Sequence, residues 1–166
     1  MLLAVLSDIH DNLANLEKCL NWCRAHKVET IINCGDTTTL ETINYLAANF
    51  RGEIFMVDGN GEIYETEELK KFQTIKYRGE LGQEIIGGLR IGFCHEPHKI
   101  KRVLALAPAA PDFIFYGHTH TPGIERRGTT TVANPGNLAG IFHQATFATL
   151  DTETKELELK IVADLS

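Results

Sequence analysis

Apolar residues come in short bursts along this chain, and nearly every burst ends at a residue able to do chemistry. Residues 2–6 (LLAVL) are five apolar positions in a row, the length of a strand buried on both faces. The run stops at Ser7-Asp8-Ile9-His10. Asn12 is then a good helix N-cap, and Leu13, Leu16, Leu20 and Cys23 recur at helical spacing, which predicts a helix to about His26. Residues 30–34 read as a second strand. Strand, helix and strand in this length make a βαβ unit, so the two strands should be parallel. Thr38 or Thr39 caps a second helix over residues 40–49, and residues 54–57 form a third strand.

The pattern then loosens. Residues 65–72 are polar and read as a surface helix or loop. Residues 74–77, 83–86 and 89–94 read as short strands, with Gly87-Gly88 as a hairpin signal. Pro97 opens a helix whose inner face is Ile100, Val103, Leu104 and Ala107, and which Pro108 and Pro111 end. Residues 113–116 are another buried strand, and 123–127 with 129–133 make a hairpin about Gly128. Two last strands cover about 144–150 and 157–162. With no repeat, low-complexity tract or linker, one domain over residues 1–166 is expected.

Composition narrows the class. Hydrophobic residues are 43% and charged residues 23% of the 166, as in an ordinary globular protein. A net charge of −6 argues against a basic surface that tracks nucleic-acid phosphates. No apolar run approaches a membrane span. The first apolar run lacks a basic flank and is cut by Asp8, so no secretory leader is read and a cytoplasmic location is expected. Cys19, Cys23, Cys34 and Cys94 have neither zinc nor redox spacing and read as small buried hydrophobes.

Taken alone, Asp8 and His10 read as a turn. Four more strands change that. Residues 30–34 are followed by Asp36, 54–57 by Asn60, 89–94 by His95, and 113–116 by His118 and His120. If these strands share a sheet, all seven side chains arrive at one edge. Two carboxylates, one carboxamide and four imidazoles, with no thiolate, suit borderline divalent metals. Seven donors are too many for one open catalytic ion; they suit two ions about 3.5–4 Å apart, bridged by a carboxylate.

Asp8-Ile9-His10, Gly35-Asp36, Gly59-Asn60, His95 and Gly117-His118-Thr119-His120 together resemble, in order and distance, the motif set of the calcineurin-like metallophosphoesterases. The length, the short middle strands and Asn134-Pro135-Gly136 resemble the small bacterial and archaeal phosphodiesterase branch. The resemblance implies a four-layered α/β/β/α sandwich of two mixed sheets. It implies that Asp8, His10, Asp36 and His120 hold one ion and that Asp36, Asn60, His95 and His118 hold the other. Manganese is the expected metal; iron, zinc, nickel and magnesium suit the same donors. The expected activity is hydrolysis of a small-molecule phosphodiester by metal-activated water, with Asp36, Asn60, His95 and His98 as candidate catalytic residues. Two alternatives are a phosphomonoesterase acting on nucleotides or sugar phosphates, and a protein-interaction scaffold like the similar subunit of the eukaryotic retromer coat. The strand edges and the hairpin at Gly128 leave a homo-oligomer open.

Two departures from that family bear on mechanism. Where many relatives have histidine after the asparagine ligand, and small phosphodiesterases often cysteine, this chain has Gly61 and then Glu62. Gly61 has no side-chain proton to give, so substrates with good leaving groups are expected to be favoured, with Glu62 supporting the loop. After His95 comes Glu96-Pro97-His98: His98 is either a substitute acid or part of a helix start, and Lys99, Lys101 and Arg102 form a basic cluster beside it. His26 and His143 are expected at the surface.

Overall fold

Alternation along β1 (Leu2–Leu6) divides its apolar run between two cores. Ala4 and Leu6 face a helical layer, while Leu3 and Val5 face a second sheet. The computed structural model describes residues 1–165. After β1 come α1 (Leu13–Ala25), β2 (Thr30–Asn33), α2 (Leu40–Asn49) and β3 (Glu53–Met56). A 3₁₀ segment at Thr66–Lys71 leads to β4 (Ile75–Tyr77), β5 (Leu81–Ile86) and β6 (Leu89–Cys94). Pro97–Lys99 is also 3₁₀ and runs into α3 (Ile100–Leu104). The chain ends with β7 (Phe113–Phe115), β8 (Gly123–Arg127), β9 (Thr130–Asn134), β10 (Thr146–Asp151) and β11 (Leu157–Ile161), then a 3₁₀ turn at Val162–Asp164.

The first sheet has the order β11-β10-β1-β2-β3-β4, and the second β5-β6-β7-β9-β8. In the first, β1 to β4 are parallel and β10 and β11 antiparallel to their neighbours. In the second, β6, β7 and β9 are parallel, with β5 and β8 antiparallel at the edges. Both sheets are mixed, and the expected four layers are present. Ile32, Phe55, Phe93, Phe113 and Phe115 fill the space between the sheets. Leu16, Leu20, Ile43 and Leu46 cover the first sheet, and Ile100 and Val103 cover the second. Each such side chain, fully buried, contributes roughly 1.5–3 kcal/mol.

The helix starts agree with the sequence. Asn12 caps α1 by accepting from the Asn15 N–H, and Thr39 caps α2 by accepting from the Thr42 N–H. All four cysteines are buried and unpaired, and His143 is exposed. One condition is met in another way and one expectation is corrected. The five ligand-bearing strands do not share one sheet: β1, β2 and β3 lie in the first, β6 and β7 in the second. The donors meet because the two stacked sheets bring the carboxyl ends of their parallel strands to one rim. The helix opened by Pro97 is also shorter than its apolar spacing predicts. It stops at Leu104, which is 39% exposed, and Ala107 lies beyond it in a bend.

Candidate metal centre

Of the seven donors, five sit on backbone of positive φ: Asp8 (52°), His10 (43°), Asp36 (54°), His118 (68°) and His120 (58°). Each residue steps off a strand end in the left-handed region, which side-chain-bearing residues rarely adopt. At about 1 kcal/mol apiece the five together cost on the order of 5 kcal/mol, comparable with the whole stability of a small domain. Strain on that scale persists only if neighbours over-determine it, and here they do. Asp8 N–H donates to the Gly35 carbonyl and His10 N–H to the Asp36 carbonyl, both at 3.0 Å. Gly117 N–H donates to the His95 carbonyl at 2.9 Å, tying two ligand-bearing strand ends together. The glycines permit this crowding. A Cβ on Gly59 would come within 2.0 Å of Asp36 Oδ1, and one on Gly117 within 1.8 Å of Ser7 Oγ.

The side chains converge on a small volume. His120 Nε2 lies 3.3 Å from Asp8 Oδ1 and 3.2 Å from His10 Nε2. His10 Nε2 is 3.8 Å from Asp8 Oδ1 and 3.7 Å from Asp36 Oδ2. On the far side of Asp36, His95 Nε2 is 3.4 Å from the same Oδ2 and 2.9 Å from Asn60 Oδ1, which is also 2.7 Å from His118 Nδ1. One oxygen of Asp36 therefore faces both halves of the cluster. Its other oxygen, Oδ1, accepts the Gly61 N–H at 2.7 Å. Asp8 is held similarly: Oδ2 accepts from the Ser7 hydroxyl (2.5 Å) and the His118 N–H (3.0 Å), while Oδ1, which shares that N–H at 3.3 Å, faces the imidazoles of His10 and His120.

The chemistry of these contacts fits bound cations. Asp8, Asp36 and His95 are buried, so their charge must be matched locally. The Cys34 carbonyl lies 2.8 Å from His95 Nδ1, so Nδ1 carries a proton; a neutral ring then aims its Nε2 lone pair at two oxygens. A cation between them relieves that arrangement, as would a second proton. Burial works against charge on His95, but the Asp36 carboxylate outweighs it and raises the ring's pKa. Burial would likewise raise Asp36; the His95 contact, the Gly61 N–H and His10 override it and bring its pKa down to about 2. Two groups of residues close enough to hold an ion are Asp8, His10 and His120, and Asp8, Asp36 and His95.

Glu62 accepts N–H bonds from Thr37 (3.2 Å), Thr38 (2.8 Å) and Gly59 (3.2 Å), so it clamps the Asn60 loop to the Asp36 loop. Burial raises its pKa, and those N–H groups pull the other way. Asn137 Nδ2 donates to the His120 carbonyl at 3.2 Å, and Asn134 Nδ2 to the Gly117 carbonyl at 3.0 Å. Asp11, also left-handed (φ 57°), accepts from the hydroxyls of Thr39 and Thr42 and ties the His10 loop to the start of α2. Asn134-Pro135-Gly136-Asn137 has the residues of a turn, but nothing in its spacing tells which loops its asparagines hold. His98 is exposed on the 3₁₀ segment and makes no hydrogen bond to the donors. Glu96 pairs with Lys99 at 2.5 Å, and Glu80 pairs with both Lys99 and Arg102, so that basic cluster is largely matched.

Comparison with known proteins places this geometry. The calcineurin-like phosphoesterase superfamily domain matches residues 1–155. Phosphodiesterase MJ0936 of Methanocaldococcus jannaschii is 31% identical over 160 residues, covering 94% of this chain and 96% of that protein. The solved structure of an archaeal phosphodiesterase superposes with a TM-score of 0.86 at 29% identity, over 97% of this chain and 99% of its own. Zinc-bound Vps29 from Entamoeba histolytica has the same fold at 19% identity, with a TM-score of 0.73 over 100% of this chain and 95% of its own.

Proposed function

From the premise that the chain belongs to the calcineurin-like phosphoesterase superfamily, we propose that it is a metal-dependent phosphodiesterase. The observation that carries the reading is the shared Asp36 Oδ2, which faces His10 on one side and His95 on the other. Asp8, His10, Asp36 and His120 would hold one divalent ion, and Asp36, Asn60, His95 and His118 the other. When bound, the two ions supply Lewis acidity, which makes water available as a nucleophile near neutral pH and offsets phosphoryl charge. Manganese is the metal we favour.

The chain's own residues supply position. Asp8 and Asp36 each keep one oxygen occupied by protein donors and turn the other inward, so their orientation is set before substrate arrives. The Cys34 carbonyl fixes the His95 tautomer with Nε2 toward Asp36. Gly61 leaves the position beside Asn60 without a side-chain proton, and we place no other acid there. The reading therefore favours esters whose leaving group departs without protonation.

A rate assay on metal-stripped protein tests this, using bis(4-nitrophenyl) phosphate and 4-nitrophenyl phosphate with and without added manganese. The expected result is metal-restored hydrolysis, faster on the diester. Two bound ions with no hydrolysis of either ester would overturn the enzyme reading and favour a binding protein of the same fold. A faster monoester would move the substrate class.

A further inference from the structure

The rim that carries the donors also carries apolar surface. Among the described residues, the two most exposed large apolar side chains are Phe142 at 90% and Ile63 at 74%. Ile63 is three residues beyond Asn60 on the loop that Glu62 clamps, and its N–H donates to the Thr38 carbonyl at 2.9 Å. Phe142 lies on the loop between β9 and β10. Its ring centroid is 6.2 Å from that of His120, tilted by 39°.

Phe142 is held there against its own preference. Its φ is +64°, a genuine outlier for a bulky side chain. The loop is fastened by Asn137: its Oδ1 accepts the Ile141 N–H at 2.7 Å, and its Nδ2 donates to the carbonyls of Ile141 and His120, each at 3.2 Å. One carboxamide thus links the backbone of a metal-site histidine to the peptide that leads into Phe142. The benzyl group is thus in water, on left-handed backbone, beside the donor cluster. An apolar side chain held at the edge of a polar site is placed to meet what that site binds.

We propose that Phe142 is a substrate-positioning residue: it stacks on a planar aromatic substituent of the ester whose phosphoryl group occupies the donor cluster. The substrates are then phosphodiesters bearing an aryl group or nucleobase. This rests on the phosphodiesterase reading above, and it is separate from leaving-group acidity, because stacking acts on binding whether or not the aromatic group departs. Phe142 itself touches no reacting atom.

The test removes leaving-group chemistry altogether. Phenylphosphonate and methylphosphonate have a P–C bond that is not hydrolysed. Their affinities for manganese-loaded protein are measured by calorimetry and by inhibition of bis(4-nitrophenyl) phosphate hydrolysis. Wild type should prefer phenylphosphonate. Phe142→Ala should lower that preference about fivefold, Phe142→Leu nearly as much because it keeps area without a π face, and Phe142→Trp should restore it. Ile85→Ala, at a side chain 69% exposed on β5, should leave the preference unchanged. If all variants keep the wild-type ratio, or if both phosphonates weaken by the same factor, the proposal is overturned and Phe142 is a prop for the His120 loop or a docking point for another macromolecule. Failure of wild type to hydrolyse the diester would overturn the phosphodiesterase reading instead, and calorimetry would still decide on Phe142.

Discussion

The two halves of the donor cluster have matching numbers of ligands and unlike supports. Around Asp8, His10 and His120 the ties are many and come from separate parts of the chain: Ser7, the Gly35 and Asp36 carbonyls, the His118 N–H, and Asn137. Around Asn60, His95 and His118 one donor is enclosed and two are open to solvent. His95 is fully buried at the end of β6, whereas Asn60 and His118 are exposed. The Asn60 loop is tied chiefly through Glu62, which takes three N–H groups, with the Gly61 N–H on Asp36 and the Ile63 N–H on the Thr38 carbonyl beside it. Distributed support tolerates single losses; concentrated support does not. Asp36, which faces both halves, belongs to neither.

That comparison predicts graded damage. The largest effect is expected at the shared oxygen. Asp36→Asn keeps the shape but removes the charge that both halves need. Metal content should fall from two ions to none at micromolar metal, and diester hydrolysis by about a thousandfold or more. Plasma emission spectrometry on the dialysed variant, beside the rate assay, checks this. Retention of two ions with near-normal turnover would show that Asp36 is not shared. The next effect should fall on one half alone. Glu62→Ala leaves three backbone N–H groups without their acceptor, and stability should drop by about 3 kcal/mol. One ion should be lost and one kept, and Glu62→Gln should recover part of both. Loss of both ions would mean that the halves are supported in common.

The sequence made the donors legible and their supports mostly not, for a physical reason. Each donor follows an apolar strand directly, so burial upstream marks it: Leu2–Leu6 points to Asp8 and Phe113–Phe115 to His118. Asn12 and Thr39 were legible because N-capping is a local event. The division of the strands between two sheets was not, because periodicity reports which faces are buried and is silent on the partner strand. Asn134 and Asn137 were hidden for the same reason: their partners, Gly117 and His120, are seventeen residues away. The helix after Pro97 failed differently. Leu104 and Ala107 keep helical spacing, but the chain runs into turns and bends before Pro108, and spacing does not register where the hydrogen bonds stop.

The smallest expected effect addresses the strain itself, on the exposed donor shared by neither helix nor strand. His118 has φ +68° and its N–H donates to Asp8, so its backbone is fixed by what it holds. Replacing it with either alanine or glycine removes the imidazole, and in metal-free buffer the two variants differ only in backbone preference. Alanine carries a left-handed penalty of roughly 1–2 kcal/mol. Glycine carries none, but it gives back part of that gain through a freer unfolded chain, roughly 0.4–1 kcal/mol. The net expectation is that His118→Gly is more stable than His118→Ala by about 0.5–1 kcal/mol, a melting difference of about 1–4 °C at this size. At Glu17, exposed inside α1, the order must reverse, with Glu17→Ala more stable than Glu17→Gly by about 1 kcal/mol. Paired urea melts on the four variants read both signs. If alanine equals or exceeds glycine at His118 while the α1 pair behaves as stated, the rim is unstrained there, and its left-handed backbone is a resting conformation that the ligands did not have to impose.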